Sequence, residues 1–98
     1  MYYKLYKERS NNALSAGLQV FEEFNKIYQE HGVNVIGVWK NKDDSQELFF
    51  MTAYDSEDHY LDFVEEMKTN EKYQSMSQEL GASRESIEVF ALEDALER

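Results

Sequence analysis

The chain has 98 residues, room for one domain with a modest core, and its lack of cysteine excludes disulfides, thiolate metal sites and cysteine nucleophiles. With 20 acidic against 10 basic side chains the formal net charge is −10, which repels phosphate backbones and anionic lipid headgroups, so neither nucleic acid nor a membrane is an expected partner. A neutral, apolar or aromatic ligand meets no such barrier.

Met1 to Lys7 sets Tyr2, Tyr3 and Tyr6 among lysines in place of the apolar run of a signal peptide, and no later stretch is long and apolar enough to cross a membrane. A cytoplasmic protein is the expectation. Within that start, Tyr2/Lys4/Tyr6 alternate with Tyr3/Leu5, which predicts a strand. Ser10, Asn11 and Asn12 follow as helix-capping residues. From Leu14 to His31 the apolar residues Leu14, Leu18, Phe21, Phe24, Ile27 and Tyr28 recur at helical spacing, and Gly32 supplies the stop. Gly17 inside this helix costs roughly 1 kcal/mol against alanine, which calls for close packing on a sheet or room for a ligand.

Val33 to Lys40 and Glu47 to Tyr54 flank the polar run Asn41 to Ser45 and read as a β-hairpin. Both strands are apolar on both faces. Strict alternation puts Val33, Val35 and Trp39 opposite Ile36 and Val38, and sets Leu48, Phe50 and Tyr54 against Phe49, Met51 and Ala53. Asp55 and Ser56 then precede a second helix with Tyr60, Phe63, Val64 and Met67 on one stripe. Thr69 and Asn70 interrupt it and cap a third, through Tyr73, Met76 and Leu80, which Gly81 closes. Glu85 to Leu92 alternates as a last strand, and Glu93 to Arg98 is a charged tail.

The order β-α-β-β-α-α-β is the α+β, ferredoxin-like split βαβ plan: a four-stranded antiparallel sheet with its helices on one face, in a single domain spanning residues 1–98. An antiparallel sheet in a small protein usually keeps one face wet, so a sheet apolar on both sides needs two covers. Helices provide one. A second copy of the chain, paired through the sheet as a homodimer, provides the other.

His31-Gly32, Gly37-Val38-Trp39-Lys40 and Ala53-Tyr54-Asp55-Ser56 together resemble the NIPSNAP family of the dimeric α+β barrel superfamily. In that family a helix ends in His-Gly, the next strand carries Gly-x-Trp, and the third strand ends in an aromatic followed closely by Ser. Asn70-Glu71-Lys72-Tyr73 stands where the family commonly has an Asp-Pro-Glu-Trp-like sequence, so proline is missing and Tyr73 replaces tryptophan. Glu57-Asp58-His59-Tyr60 stands where arginine is frequent, which removes a usual anchor for an anionic group. The resemblance implies the barrel fold and the dimer; it carries no shared chemistry.

Site candidates follow from residue type. The catalytic residues are unassigned, with His59, beside Tyr54 if it turns toward the sheet, and Tyr54 as the candidates. His31 is explained as a helix C-terminal cap. Phe21, Trp39, Tyr54 and Phe63 are the expected aromatic walls of a ligand pocket between sheet and helices, with Asn34, Thr52 and His59 as polar orienting groups. Adjacent carboxylates such as Glu22-Glu23 and Glu65-Glu66 diverge on a helix and have no spacing for a metal, and no cofactor is expected. The functional expectation is a small-ligand protein of undefined activity. The alternatives are a cofactor-independent monooxygenase of the antibiotic-biosynthesis type, which the resemblance brings in, and a non-catalytic regulatory or scaffolding dimer. RNA binding on the same strand order lacks both the basic-glycine-aromatic signature and the charge.

Overall fold

The structure, a computed structural model, describes residues 1–10 and 14–96, with the side chains of 10, 14–20 and 79–85 outside the description. Seven elements run β1 (Tyr2–Ser10), α1 (Leu14–Glu30), β2 (Asn34–Asn41), β3 (Asp44–Tyr54), α2 (Glu57–Met67), α3 (Glu71–Ser83) and β4 (Arg84–Glu93). The strands form one antiparallel sheet in the order β2-β3-β1-β4, the ferredoxin-like arrangement expected from the sequence. The capping expected of Asn11 and Asn12 lies outside the described residues, as does the packing around Gly17.

The end of α1 shows how local chemistry sets the chain's course. Gly32 adopts φ +71°, and the N–H groups of Gly32 and Val33 donate to the carbonyls of Gln29 (3.2 Å) and Tyr28 (2.8 Å). This is a Schellman cap, and its usual apolar contact is present, since Val33 and Tyr28 share the core. At α2, the Ser56 hydroxyl accepts from the His59 N–H at 3.1 Å, as its capping chemistry predicts. Asn70 caps α3 through the Tyr73 N–H at 2.9 Å. The third helix runs two residues past Gly81, to Ser83, so that glycine does not close it.

On β3 the alternation reads as expected. Leu48, Phe50, Thr52 and Tyr54 are buried beneath the helices, and β1 lays Tyr2, Lys4, Tyr6 and Glu8 beside them in register. Phe24, Ile27, Tyr28, Val33, Phe63, Met67 and Met76 complete the core. The other face carries Phe49 and Met51 with Leu5, Phe90 and Leu92 from the flanking strands, and no helix lies on it.

On β2 the alternation fails, for a definite reason. The register shifts between Val35 and Gly37, so Ile36 is an extra, bulged residue and every side chain after it changes face. Val35 and Val38 therefore both stand over Thr52 and Phe50 on the helix side, while Gly37 and Trp39 pair with Met51 and Phe49 on the outer side. The indole of Trp39 lies back over Gly37, where a Cβ would come within 2.6 Å of Trp39 Cζ2. Glycine at 37 is thus what lets the ring lie flat.

Gly37→Ala is expected to lift Trp39 off the sheet and to cost about 1–3 kcal/mol by overpacking. Urea unfolding measures the loss, and the emission of the protein's single tryptophan reports the displacement. An unchanged midpoint and spectrum would contradict this packing.

Candidate functional site

Aromatic rings crowd the space between the sheet and the helices. Tyr6 stacks on Phe50 (4.4 Å, 10°), Phe21 meets Phe50 edge-on (5.0 Å), and Tyr73 meets both Phe24 (5.3 Å) and Phe63 (6.0 Å) edge-on. Tyr54 meets Tyr60 (5.1 Å) and His59 (5.6 Å) edge-on. Edge-on and offset rings pack favourably, yet rigid flat groups at steep angles leave gaps between them. One cavity of about 160 Å³ is lined by Tyr6, Tyr54, Tyr60, Phe63, Val64, Met67, Lys68, Tyr73 and Gln74. A second, of about 170 Å³, shares Tyr6 and Tyr73 as walls and is completed by Phe21, Phe24, Tyr28, Phe50, Ser77 and Ile87. Either is comparable to an apolar cavity of roughly 150 Å³ that admits a single benzene ring.

The walls are apolar in body and polar at chosen points. Thr52, with 0% exposure, donates its hydroxyl to the Tyr54 oxygen at 3.4 Å. Tyr73 and Ser77, one turn apart on α3, are both walls of the second cavity with Tyr28. Burial pushes the phenols of Tyr6, Tyr28, Tyr54 and Tyr73 above the ordinary tyrosine range, and in Tyr6 and Tyr28 neighbouring tyrosines add to it. All four stay neutral at physiological pH. They offer hydroxyl donors without charge, a setting for a ligand that is largely apolar and has a polar point.

The residues singled out from the sequence divide between the two faces. Tyr54 (1% exposed), Thr52 and Phe63 meet beneath the helices, Phe21 borders the second cavity, and His59 packs against Tyr54. Asn34 pairs with Ala53 and Trp39 with Phe49, both on the outer face, so neither lies between sheet and helices as expected. The bulge at Ile36 is the cause for Trp39. Tyr6, Tyr28, Tyr60 and Tyr73 line the cavities, whereas the sequence pattern marks them only as strand or core residues. The signal was present in their type, because a phenol at a core-facing position has a hydroxyl that must find a partner.

His59 is held on every side. Its Nδ1 accepts from the Asp55 N–H at 3.0 Å, so the ring proton sits on Nε2, which donates to the His31 carbonyl at 2.9 Å. Both nitrogens are committed to backbone, and the ring lies against Gly32, joining the end of α1 to the start of α2. In this arrangement His59 staples the two helix ends, with the Asp55 carboxylate also 3.8 Å from Nδ1. His31 reinforces the join through Nδ1, 2.7 Å from Glu66 Oε2 on α2. Among the described residues no group of three or more His, Cys, Asp or Glu is placed to hold a metal, and no helix is long and apolar enough to cross a membrane.

Folding raises the proton affinity of the four phenols, so the unfolded chain ionises first, as pH passes its ordinary value of 10.0. Stability is full below that pH and falls as pH climbs toward the folded values, by up to about 1.4 kcal/mol per pH unit for each phenol. Tyr54→Phe is expected to cost ~1 kcal/mol at neutral pH through the lost Thr52 bond, yet to flatten the alkaline decline. Urea midpoints recorded alongside tyrosinate absorbance check both; early, non-cooperative ionisation of all tyrosines would refute the buried network.

No family model matches this sequence, and no curated protein sequence matches it. Solved structures do. A NIPSNAP family protein from Agrobacterium tumefaciens strain C58 superposes with TM-score 0.76 at 18% identity, over 93% of this chain and 90% of that one. An uncharacterised NIPSNAP domain protein from Burkholderia xenovorans gives TM-score 0.70 at 22% identity, over 97% and 95%. A mutant of SnoaB, a cofactor-independent oxygenase from Streptomyces nogalater, gives TM-score 0.81 at 8% identity, over 98% and 94%. The fold of this chain is thus similar to that of NIPSNAP proteins and of antibiotic-biosynthesis-type monooxygenases alike.

Proposed function

We infer that the protein is a NIPSNAP-like dimeric α+β barrel protein that binds a small apolar or aromatic ligand between sheet and helices. The observation that carries this reading is the pair of adjoining ring-lined cavities that share the neutral phenols of Tyr6 and Tyr73 as walls, with Tyr54 beside them. A site built only for core packing has no use for that many phenols, each of which must be hydrogen-bonded at burial. The local motifs that resemble the NIPSNAP family, and fold neighbours carrying that name, support the kinship.

The homodimer is part of the same proposal. Trp39 is 46% and Phe90 43% exposed on the outer face, with Leu5, Phe49 and Met51 between them and Ile36 and Leu92 near its margins. A continuous apolar surface of this kind favours a second copy related by twofold symmetry. A second reading, cofactor-independent oxygenation of an electron-rich aromatic, is supported by the likeness to the SnoaB structure. Oxygen uptake by the protein with a hydroquinone, and none without it, would favour that reading.

Titration of the full chain with naphthalene, followed by NMR, is expected to saturate and to perturb residues around Tyr54 and Tyr73. Val64→Phe, which fills the 160 Å³ cavity, is expected to weaken binding at least about tenfold while the fold persists. Unsaturable or scattered shifts would overturn the ligand reading. Phe90→Asp is expected to convert a dimer into a folded monomer in sedimentation equilibrium; a wild-type chain already monomeric at micromolar concentration would overturn the pairing.

A further inference from the structure

Five of the eight lysines and arginines whose side chains are described are matched to a carboxylate. Lys7, Arg9, Lys26, Lys68 and Lys72 lie within ion-pair range of Glu47, Asp44, Glu23, Glu65 and Glu23 respectively, while Lys40 and Lys42 stand exposed at the end of the β2–β3 hairpin. Lys4 differs from both groups. It is half-buried on the helix side of β1, and no carboxylate of the described residues lies within ion-pair range of its ammonium. The acid nearest by register on that face is Glu93, opposite Tyr2. What holds Lys4 Nζ is aromatic: it lies 4.5 Å from the Tyr60 ring centroid and 5.9 Å from that of Tyr2, two rings stacked on each other at 5.4 Å.

Tyr60 is also a wall of the 160 Å³ cavity, and so is Tyr6, the next residue after Lys4 on the same face of the strand. The ammonium therefore stands at the cavity's margin. Its cross-strand neighbours are Thr52 and Ala91, neither of which carries a charge, and β4 is left uncovered there, with Val89 opposite Tyr6 at 46% exposure. A small molecule has an open approach along β4 toward Lys4 and the rings behind it. Among the described residues no acid lines the cavity, and the cation in its wall, Lys68, is paired with Glu65 at 2.9 Å.

Building on the ligand reading above, we propose that the cavity takes an aryl carboxylic acid, its ring between Tyr6, Tyr54, Phe63 and Tyr73 and its carboxylate on Lys4 above Tyr60. Alternate residues on one strand face are about 7 Å apart, which sets the ring-to-carboxylate spacing at a linker of two or three carbons. The cation is already positioned over its rings, so little ordering is lost when the carboxylate binds. The net charge of −10 repels anions in general, so a preference for the acid over an uncharged isostere reports the local contact.

The test compares 3-phenylpropionate with 3-phenylpropanamide, which share shape and differ in charge, by NMR titration of the full chain. The acid is expected to bind at least about tenfold tighter. Lys4→Met, which keeps the apolar stem, is expected to reduce that preference to within about twofold while leaving the amide's affinity unchanged, and Lys4→Arg to retain it. Equal binding of acid and amide to the unmodified chain, or a preference that survives Lys4→Met, overturns the role of Lys4 and leaves the ligand reading standing. Failure of both compounds to perturb the cavity residues overturns both together.

Discussion

A single constraint organises this molecule: β3, a central strand, is apolar on both of its faces. Leu48, Phe50, Thr52 and Tyr54 point one way and are buried, and Phe49 and Met51 point the other way on a side where no helix lies. Burying such a strand is worth roughly 25 cal/mol per Å² of apolar area, so each uncovered ring on it is a standing drive toward association. The three helices meet that demand on one side only. The uncovered side is what motivates the proposed dimer, and the covered side is where the cavities form.

The covered side is an unusual core. A layer of leucine and valine would close to crystalline density, whereas rings meeting at steep angles leave ring-sized gaps and bring hydroxyls inside with them. Thr52 resolves part of that problem through its bond to the Tyr54 hydroxyl. The result is a ring-lined interior that is rich in neutral phenols, holds a buried Thr52–Tyr54 hydrogen bond and is incompletely filled. Those three properties together support a ligand site more strongly than the fold does, since the same fold serves proteins of unlike description.

Much of this was legible in the sequence wherever a period held over several turns. The stripe Phe21, Phe24, Ile27, Tyr28 and the stop at Gly32 gave α1, because helical spacing and a left-handed glycine are both local properties. The strand-period reading of β3 held from Leu48 to Tyr54 for the same reason. On β2 one inserted residue was enough to break the inference. The bulge at Ile36 depends on how β2 registers with β3, which no local pattern encodes, and it carries Trp39 to the outer face. His59 shows a second limit. Its capping neighbour Ser56 was visible, but the bond to the His31 carbonyl joins residues 28 positions apart and arises only from tertiary packing. That bond ties the start of α2 to the end of α1.

The central claim is that the outer face of the sheet is covered in solution by a second copy of the chain. Trp39, the protein's single tryptophan, lies on that face and is 46% exposed in one protomer, so its accessibility to a neutral quencher such as acrylamide reads the cover directly. The account predicts strong protection of Trp39 at micromolar protein concentration, lost on dilution as protomers separate. Quenching that is efficient and independent of concentration, in a chain that remains folded, would contradict it.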